Sequence, residues 1–117
     1  MAVYVLEDDP GVSDSLALLL GHLGFEVVCH SDAERFFRSP PPAADDIVFV
    51  DLMLPGIRGA DVIRWLQRLK DPPRVVAMSG QSQSVIDAEL RDVGVTQVIR
   101  KPLSQKAITA HLGRANH

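Results

Sequence analysis

Ile47-Val48-Phe49-Val50-Asp51-Leu52-Met53-Leu54-Pro55 sets four apolar residues directly against an acid and closes on a proline. A run this short and this uniformly apolar suits a strand buried on both faces, as in a parallel sheet covered by helices. Residues 3–6, 25–29, 75–78 and 96–99 read the same way. Between these strands lie five segments of helical periodicity. Val12, Leu16, Leu19, Leu20 and Leu23 make one stripe, with Asp9-Pro10 as N-cap and first helical position and Gly24 as the stop. Phe36 and Phe37 anchor a short second helix capped by Ser31 or Asp32. Val62, Ile63, Leu66 and Leu69 repeat on a third, which Pro72-Pro73 ends. Ile86, Leu90 and Val93 mark a fourth that stops at Gly94, and Ala107, Ile108 and Leu112 a fifth capped by Ser104. Strand and helix thus alternate five times, and right-handed crossovers would wind the helices onto both faces of one parallel sheet.

The bulk properties agree with one α/β domain spanning residues 1–117, with no second unit and no effector domain in the chain. Hydrophobic residues make up 46% of the chain, enough for a core, and the net charge of -3 argues against a nucleic-acid-binding module. Cys29 is the one cysteine and has no internal partner for a disulfide, so a reducing, cytoplasmic setting is expected. The densest apolar patch, residues 16–20, is far too short to cross a bilayer, and the N-terminus shows no basic leader. Ser39-Pro40-Pro41-Pro42-Ala43-Ala44 reads as a stiff extended connector.

In such a sheet, ligands gather outside the carboxyl ends of the strands. After the first strand come Glu7, Asp8 and Asp9; after the third, Asp51; after the fourth, Ser79-Gly80; after the fifth, Lys101-Pro102. If the first and third strands are neighbours, Glu7, Asp8 and Asp51 converge. Three carboxylates that close repel one another unless a cation neutralises them, and a hard ion such as Mg²⁺ matches their oxygen donors, with Mn²⁺ as an alternative. Asp9 is better explained as a helix cap. Asp51, on the rim of a rigid strand, is placed to attack phosphorus and form an acyl phosphate. Lys101 would pair first with Asp51 and then with phosphoryl oxygens, and Ser79 offers a hydroxyl donor. Taken singly, Ser79 reads as a turn residue and Lys101 as a surface lysine; their shared address at the strand ends is the signal.

Four motifs in this order, Leu6-Glu7-Asp8-Asp9-Pro10, Asp51-Leu52-Met53-Leu54-Pro55 with Gly59, Met78-Ser79-Gly80 and Lys101-Pro102, resemble the receiver domain of bacterial two-component response regulators. The resemblance covers nearly the whole chain. It implies a flavodoxin-like sheet of order 2-1-3-4-5, phosphorylation on Asp51, and Mg²⁺ held by Asp8, Asp51, Glu7 through water, and the backbone carbonyl of Met53. It also implies Ser79 as switch hydroxyl, Lys101 as the phosphate-pairing lysine, and a cis Lys101-Pro102 bond. A histidine kinase or histidine phosphotransfer protein would donate the phosphoryl group. A downstream effector, or a fused effector domain, would read the face made by the fourth helix, fifth strand and fifth helix. Met53 and Gln81 stand where the family tunes hydrolysis. The fifth helix would support a homodimer without compelling one. The domain would bind no nucleic acid and no membrane, and would act as an enzyme only on its own phosphorylation and dephosphorylation.

Two positions depart from the family pattern. Glu7 replaces a common aspartate, which preserves metal binding. Val98 stands where relatives carry an aromatic ring that swings with the switch hydroxyl; it is either a plain strand residue or a sign that the relay runs by another route. Three other readings compete: a pseudo-receiver that binds partners without phosphate, a haloacid-dehalogenase-type phosphatase, and a flavin carrier of the same architecture. The phosphatase wants an acid where Met53 stands. The flavin carrier wants hydroxyls where the chain has three acids after its first strand.

Overall fold

Five strands and five helices alternate along the chain. The computed structural model describes residues 1–94 and 97–113. Its elements are β1 Ala2–Leu6, α1 Pro10–His22, β2 Glu26–His30, α2 Ala33–Arg38, β3 Ile47–Asp51, α3 Gly59–Gln67, β4 Arg74–Ser79, α4 Gln83–Glu89, β5 Val98–Arg100 and α5 Gln105–Gly113. The strands form one sheet of order β2-β1-β3-β4-β5, and every pairing is parallel. This is the expected doubly wound topology.

Strand periodicity of two decides which helix covers which face. Ile47 and Phe49 of β3 join Val3, Val5, Val76 and Met78 against Leu16 and Leu20 of α1 and Ile108 and Leu112 of α5. Val48 and Val50 point the other way, with Leu6 and Ala77, onto Phe36 of α2, Val62, Ile63 and Leu66 of α3, and Ile86 of α4. All five residues of β3 are buried. Burying a side chain such as Phe49 contributes about 2 to 3 kcal/mol. Phe36 adds edge contacts to Tyr4, His30 and Trp65, so one ring ties α2 to β1 and α3.

Helix ends follow the sequence signals. Asp9 Oδ1 accepts from the Gly11 and Val12 amides, so Asp9 is the α1 cap, ahead of Pro10. At the other end Gly24 takes φ +92°, and the Phe25 and Gly24 amides reach back to the Leu20 and Gly21 carbonyls. That paired closure needs a left-handed residue, which glycine supplies. Asp32, rather than Ser31, caps α2, and Ser104 Oγ accepts from the Ala107 amide at the start of α5.

Several boundaries differ from expectation. β2 is an edge strand and is only half-buried, not covered on both faces. β4 runs on through Ser79, and α3 stops at Gln67, before Leu69 and the prolines. α4 ends at Glu89; Leu90 caps it and Val93 follows in a turn, both still packed on the core without helical backbone. Thr96, expected to open the fifth strand, and residues 114–117 lie outside the described residues.

Candidate functional site

The sheet order places β1 between β2 and β3, so successive connections from β1 leave in opposite directions and open a crevice above the β1 and β3 ends. Leu6 pairs with Val50 in the ladder, and the next residues along are Glu7 and Asp51. One oxygen from each of Glu7, Asp8 and Asp51 lies within 4.8 Å of the other two. Glu7 and Asp51 are buried while Asp8 is exposed, so the cluster has a dry floor and an open side. The donor set, three carboxylate oxygens, fits a hard divalent cation.

Lys101 follows β5, and its amide donates to the Ser79 carbonyl at 2.8 Å, which continues the ladder beyond the strand. Its peptide bond to Pro102 is cis. From there Nζ donates to Glu7 Oε1 at 2.6 Å and to Asp51 Oδ2 at 3.1 Å. The lysine therefore bridges two carboxylates, and the shorter bond goes to Glu7. Glu7's side chain is 0% exposed and Lys101's 23%. Pairing of Lys101 with Asp51 was expected from the sequence, but the closer bond to Glu7 was not. Asp51 Oδ1 also accepts from the Met53 amide at 2.9 Å.

These contacts set the proton balance. Burial, and after it the neighbouring Asp51, push Glu7 up to about 7 against the pull of Lys101. Burial opposes ionisation of Asp51 as well. There, contacts from Glu7, the Met53 amide and Lys101 outweigh it and hold Asp51 below its ordinary value. Burial would lower Lys101, but its two carboxylate partners raise it. Of the two acids Asp51 therefore gives up its proton the more readily, and Lys101 is the cation they share.

Gly59 opens α3 against the backbone of Asp51 and Leu52. A Cβ there would meet the Asp51 carbonyl oxygen in hard overlap and stand 2.7 Å from Leu52 Cα. The glycine four residues past Pro55 therefore lets the helix seat against the strand end that carries Asp51. Met53 is 59% exposed, and the contact it makes with Asp51 is through its backbone amide. Ser79 is fully buried at the end of β4, and its hydroxyl donates to Gln81 Oε1 at 3.0 Å. Val98 is half-buried and packs on the α2–α3–α4 side of the sheet. Glu7, Asp8, Asp51, Ser79 and Lys101 thus fall at the carboxyl edge of the sheet, with the three acids in mutual reach, Lys101 bonded to Glu7 and Asp51, and Ser79 turned to Gln81.

A doubly wound sheet with converging carboxylates and a lysine at its carboxyl edge defines a receiver-type signalling domain. The family model for the response regulator receiver domain matches residues 3–113, and the chain belongs to that family. It is similar to the transcriptional regulatory protein FixJ of Bradyrhizobium diazoefficiens, 27% identical over 113 residues that cover 97% of this chain and 55% of that protein. It is 33% identical to the sensory transduction protein RegX3 of Mycobacterium tuberculosis over 113 residues, 95% of this chain and 48% of that one. The chain spans about half the length of the curated relatives it matches. Among solved structures, the receiver domain of the sensor histidine kinase PA1611 from Pseudomonas aeruginosa, with magnesium in its active-site cleft, superposes with a TM-score of 0.87. That match is 18% identical and covers 99% of this chain and 98% of that one. Family membership sets aside the phosphatase and flavin-carrier readings. Among the described residues, no helix is long and apolar enough to cross a membrane.

Proposed function

We propose that this receiver domain takes a phosphoryl group onto Asp51 from a phosphohistidine on a histidine kinase or histidine phosphotransfer protein. The observation that carries this is the Lys101 bridge between Asp51 and Glu7, which holds an ionised carboxylate at the end of a rigid strand. An Asp51 oxygen attacks phosphorus, the P–N bond to the donor imidazole breaks, and its electron pair stays on the ring nitrogen. Lys101 then follows the charge from the carboxylate to the phosphoryl oxygens. Glu7, Asp8, Asp51 and the Met53 carbonyl would hold Mg²⁺, with Mn²⁺ as a substitute. When bound, the ion neutralises charge on the transferring group. The new group carries about -2 charge near neutral pH and attracts the Ser79 hydroxyl. Hydrolysis returns the free acid, and no external substrate is turned over.

The response is read at the surface of α4, β5 and α5 by an effector protein or a fused effector domain, with α5 as a dimer contact where one forms. We treat residues 1–117 as one receiver unit working in the cytoplasm. Incubation with acetyl phosphate and Mg²⁺, followed by intact-mass measurement, tests the reading. The expected result is one phosphate-sized gain, lost in Asp51→Asn and under chelation. No gain in the unaltered chain favours an interaction module that does not take phosphate.

A further inference from the structure

Ser79 has one hydroxyl hydrogen, and Gln81 holds it. The Ser79 hydroxyl donates to Gln81 Oε1 at 3.0 Å and accepts from the Gln81 amide at 3.0 Å. Gln81 in turn donates from Nε2 to Glu89 Oε1 at 3.1 Å. The order of these donors is forced. A carboxylate only accepts, so Glu89 draws the amide nitrogen of Gln81 towards itself and leaves the amide oxygen facing Ser79. Facing an acceptor, the serine must donate. A hydroxyl that donates to Gln81 cannot donate to a phosphoryl group on Asp51 at the same time.

The two ends of this chain of bonds are held very differently. Ser79 is fully buried on β4, and its carbonyl anchors the Lys101 amide at 2.8 Å. Gln81 and Glu89 are half-exposed. Glu89 is the last residue of α4, a helix of seven residues. When the serine turns, the loop and the helix end give way first.

We propose that Gln81 and Glu89 are positioning residues that keep the Ser79 hydroxyl off Asp51 and tie that restraint to the end of α4. The proposal rests on the phosphoacceptor reading of Asp51. Phosphorylation competes with Gln81 for one hydrogen; when the phosphoryl oxygen takes it, the Gln81 amide loses its donor and the Glu89 contact slackens. The same competition works in reverse, because a protein that holds α4 with Glu89 withdrawn pre-releases Ser79 and raises the competent fraction. The relay needs no aromatic ring on β5, where this chain has Val98.

Phosphoryl uptake from acetyl phosphate with Mg²⁺, timed by intact mass on the full chain, tests this with Glu89→Ala, Glu89→Gln and both backgrounds at Ser79. Glu89→Ala takes up phosphate about fivefold faster than the unaltered chain, equivalent to about 1 kcal/mol at about 1.4 kcal/mol per tenfold. Glu89→Gln can offer Gln81 either an acceptor or a donor, so it holds the amide in the restraining orientation only part of the time and gives a rate between those of the unaltered chain and Glu89→Ala. In Ser79→Ala, adding Glu89→Ala leaves the rate unchanged, whereas an effect through helix stability alone persists there. Should circular dichroism find Glu89→Ala unfolded, Gln81→Leu removes the same restraint and carries the same expectation. Equal rates in Glu89→Ala and the unaltered chain, or an undiminished effect without Ser79, overturn the latch and leave Asp51 as acceptor. No uptake by the unaltered chain overturns both.

Discussion

At the end of β3 every residue from Ile47 to Asp51 is buried, and α3 sits directly on the Asp51 backbone. Past the end of β4 the chain enters an exposed loop and a seven-residue helix, beside a β5 of three residues. The two regions meet at one crevice and divide its work. A nucleophile benefits from a fixed position, since small misplacements slow a reaction sharply. A signal needs an element that opens at little free-energy cost, and such elements come from the less tightly packed parts of a fold. Asp51 and Ser79 are both buried strand-end residues, but α3 packs directly on the Asp51 backbone, whereas the Ser79 hydroxyl is bonded to Gln81 in the yielding loop.

Two glycines put this contrast to its strongest trial. Gly59→Ala drives a methyl group into the Asp51–Leu52 backbone and should cost about 2 to 3 kcal/mol. That is a fall in Tm of roughly 8 to 15 °C for a domain of this size. Gly80→Ala brings a methyl group only to 3.7 Å from Lys101 Cβ, an ordinary contact, and should move Tm by a few degrees at most. Thermal unfolding followed by circular dichroism separates the two, and equal losses would erase the difference between the strand ends.

A smaller effect concerns protons. Glu7 has its folded pKa raised to about 7 from an ordinary 4.5, so the folded state holds the proton more tightly. Its contribution to stability is complete below about pH 4.5 and is lost as pH rises through about 7. The lowered pKa of Asp51 acts with the opposite sign, its contribution being present above its ordinary value of 3.8 and lost in acid. Metal-free protein should therefore lose stability between about pH 5 and pH 8, and Glu7→Gln should flatten that slope. Because a proton on Glu7 competes with a cation, the rise in Tm given by Mg²⁺ should be larger at about pH 8 than at about pH 5.5. Denaturation series with chelator and with Mg²⁺ read both trends.

The smallest effect is expected at Met53, whose side chain is exposed. Met53→Ala should leave Mg²⁺ affinity, measured by titration of unfolding or fluorescence, within about twofold, because a backbone carbonyl keeps its ligand character when the side chain changes. A tenfold loss would mean that the thioether side chain shapes the site.

The fold was legible because its signals are local and repeat: apolar runs such as Ile47 to Val50, caps such as Asp9 and Ser104, and Gly24 as a stop. Boundaries were less so. Ile86, Leu90 and Val93 keep helical spacing, yet only Ile86 lies in α4, since a turn buries the other two equally well. The acids and the lysine were legible from their address after strands. What no spacing records is distance between side chains brought together by the sheet. The 2.6 Å bond from Lys101 to Glu7 joins residues 94 apart, and the Gln81–Glu89 bond depends on how a loop folds back on its helix. The close approach behind Gly59 left a sequence trace, a glycine at fixed spacing from Asp51, without revealing its cause.

The central claim is that the phosphoryl group resides on the Asp51 carboxylate. Borohydride reduces an acyl phosphate of aspartate to homoserine and leaves free carboxylates intact. Protein treated with acetyl phosphate and Mg²⁺, then reduced, digested and sequenced by mass spectrometry, should carry homoserine at position 51 and aspartate at Asp8. Unreduced aspartate at 51 in protein that has gained phosphate, or homoserine at another position, would contradict the account.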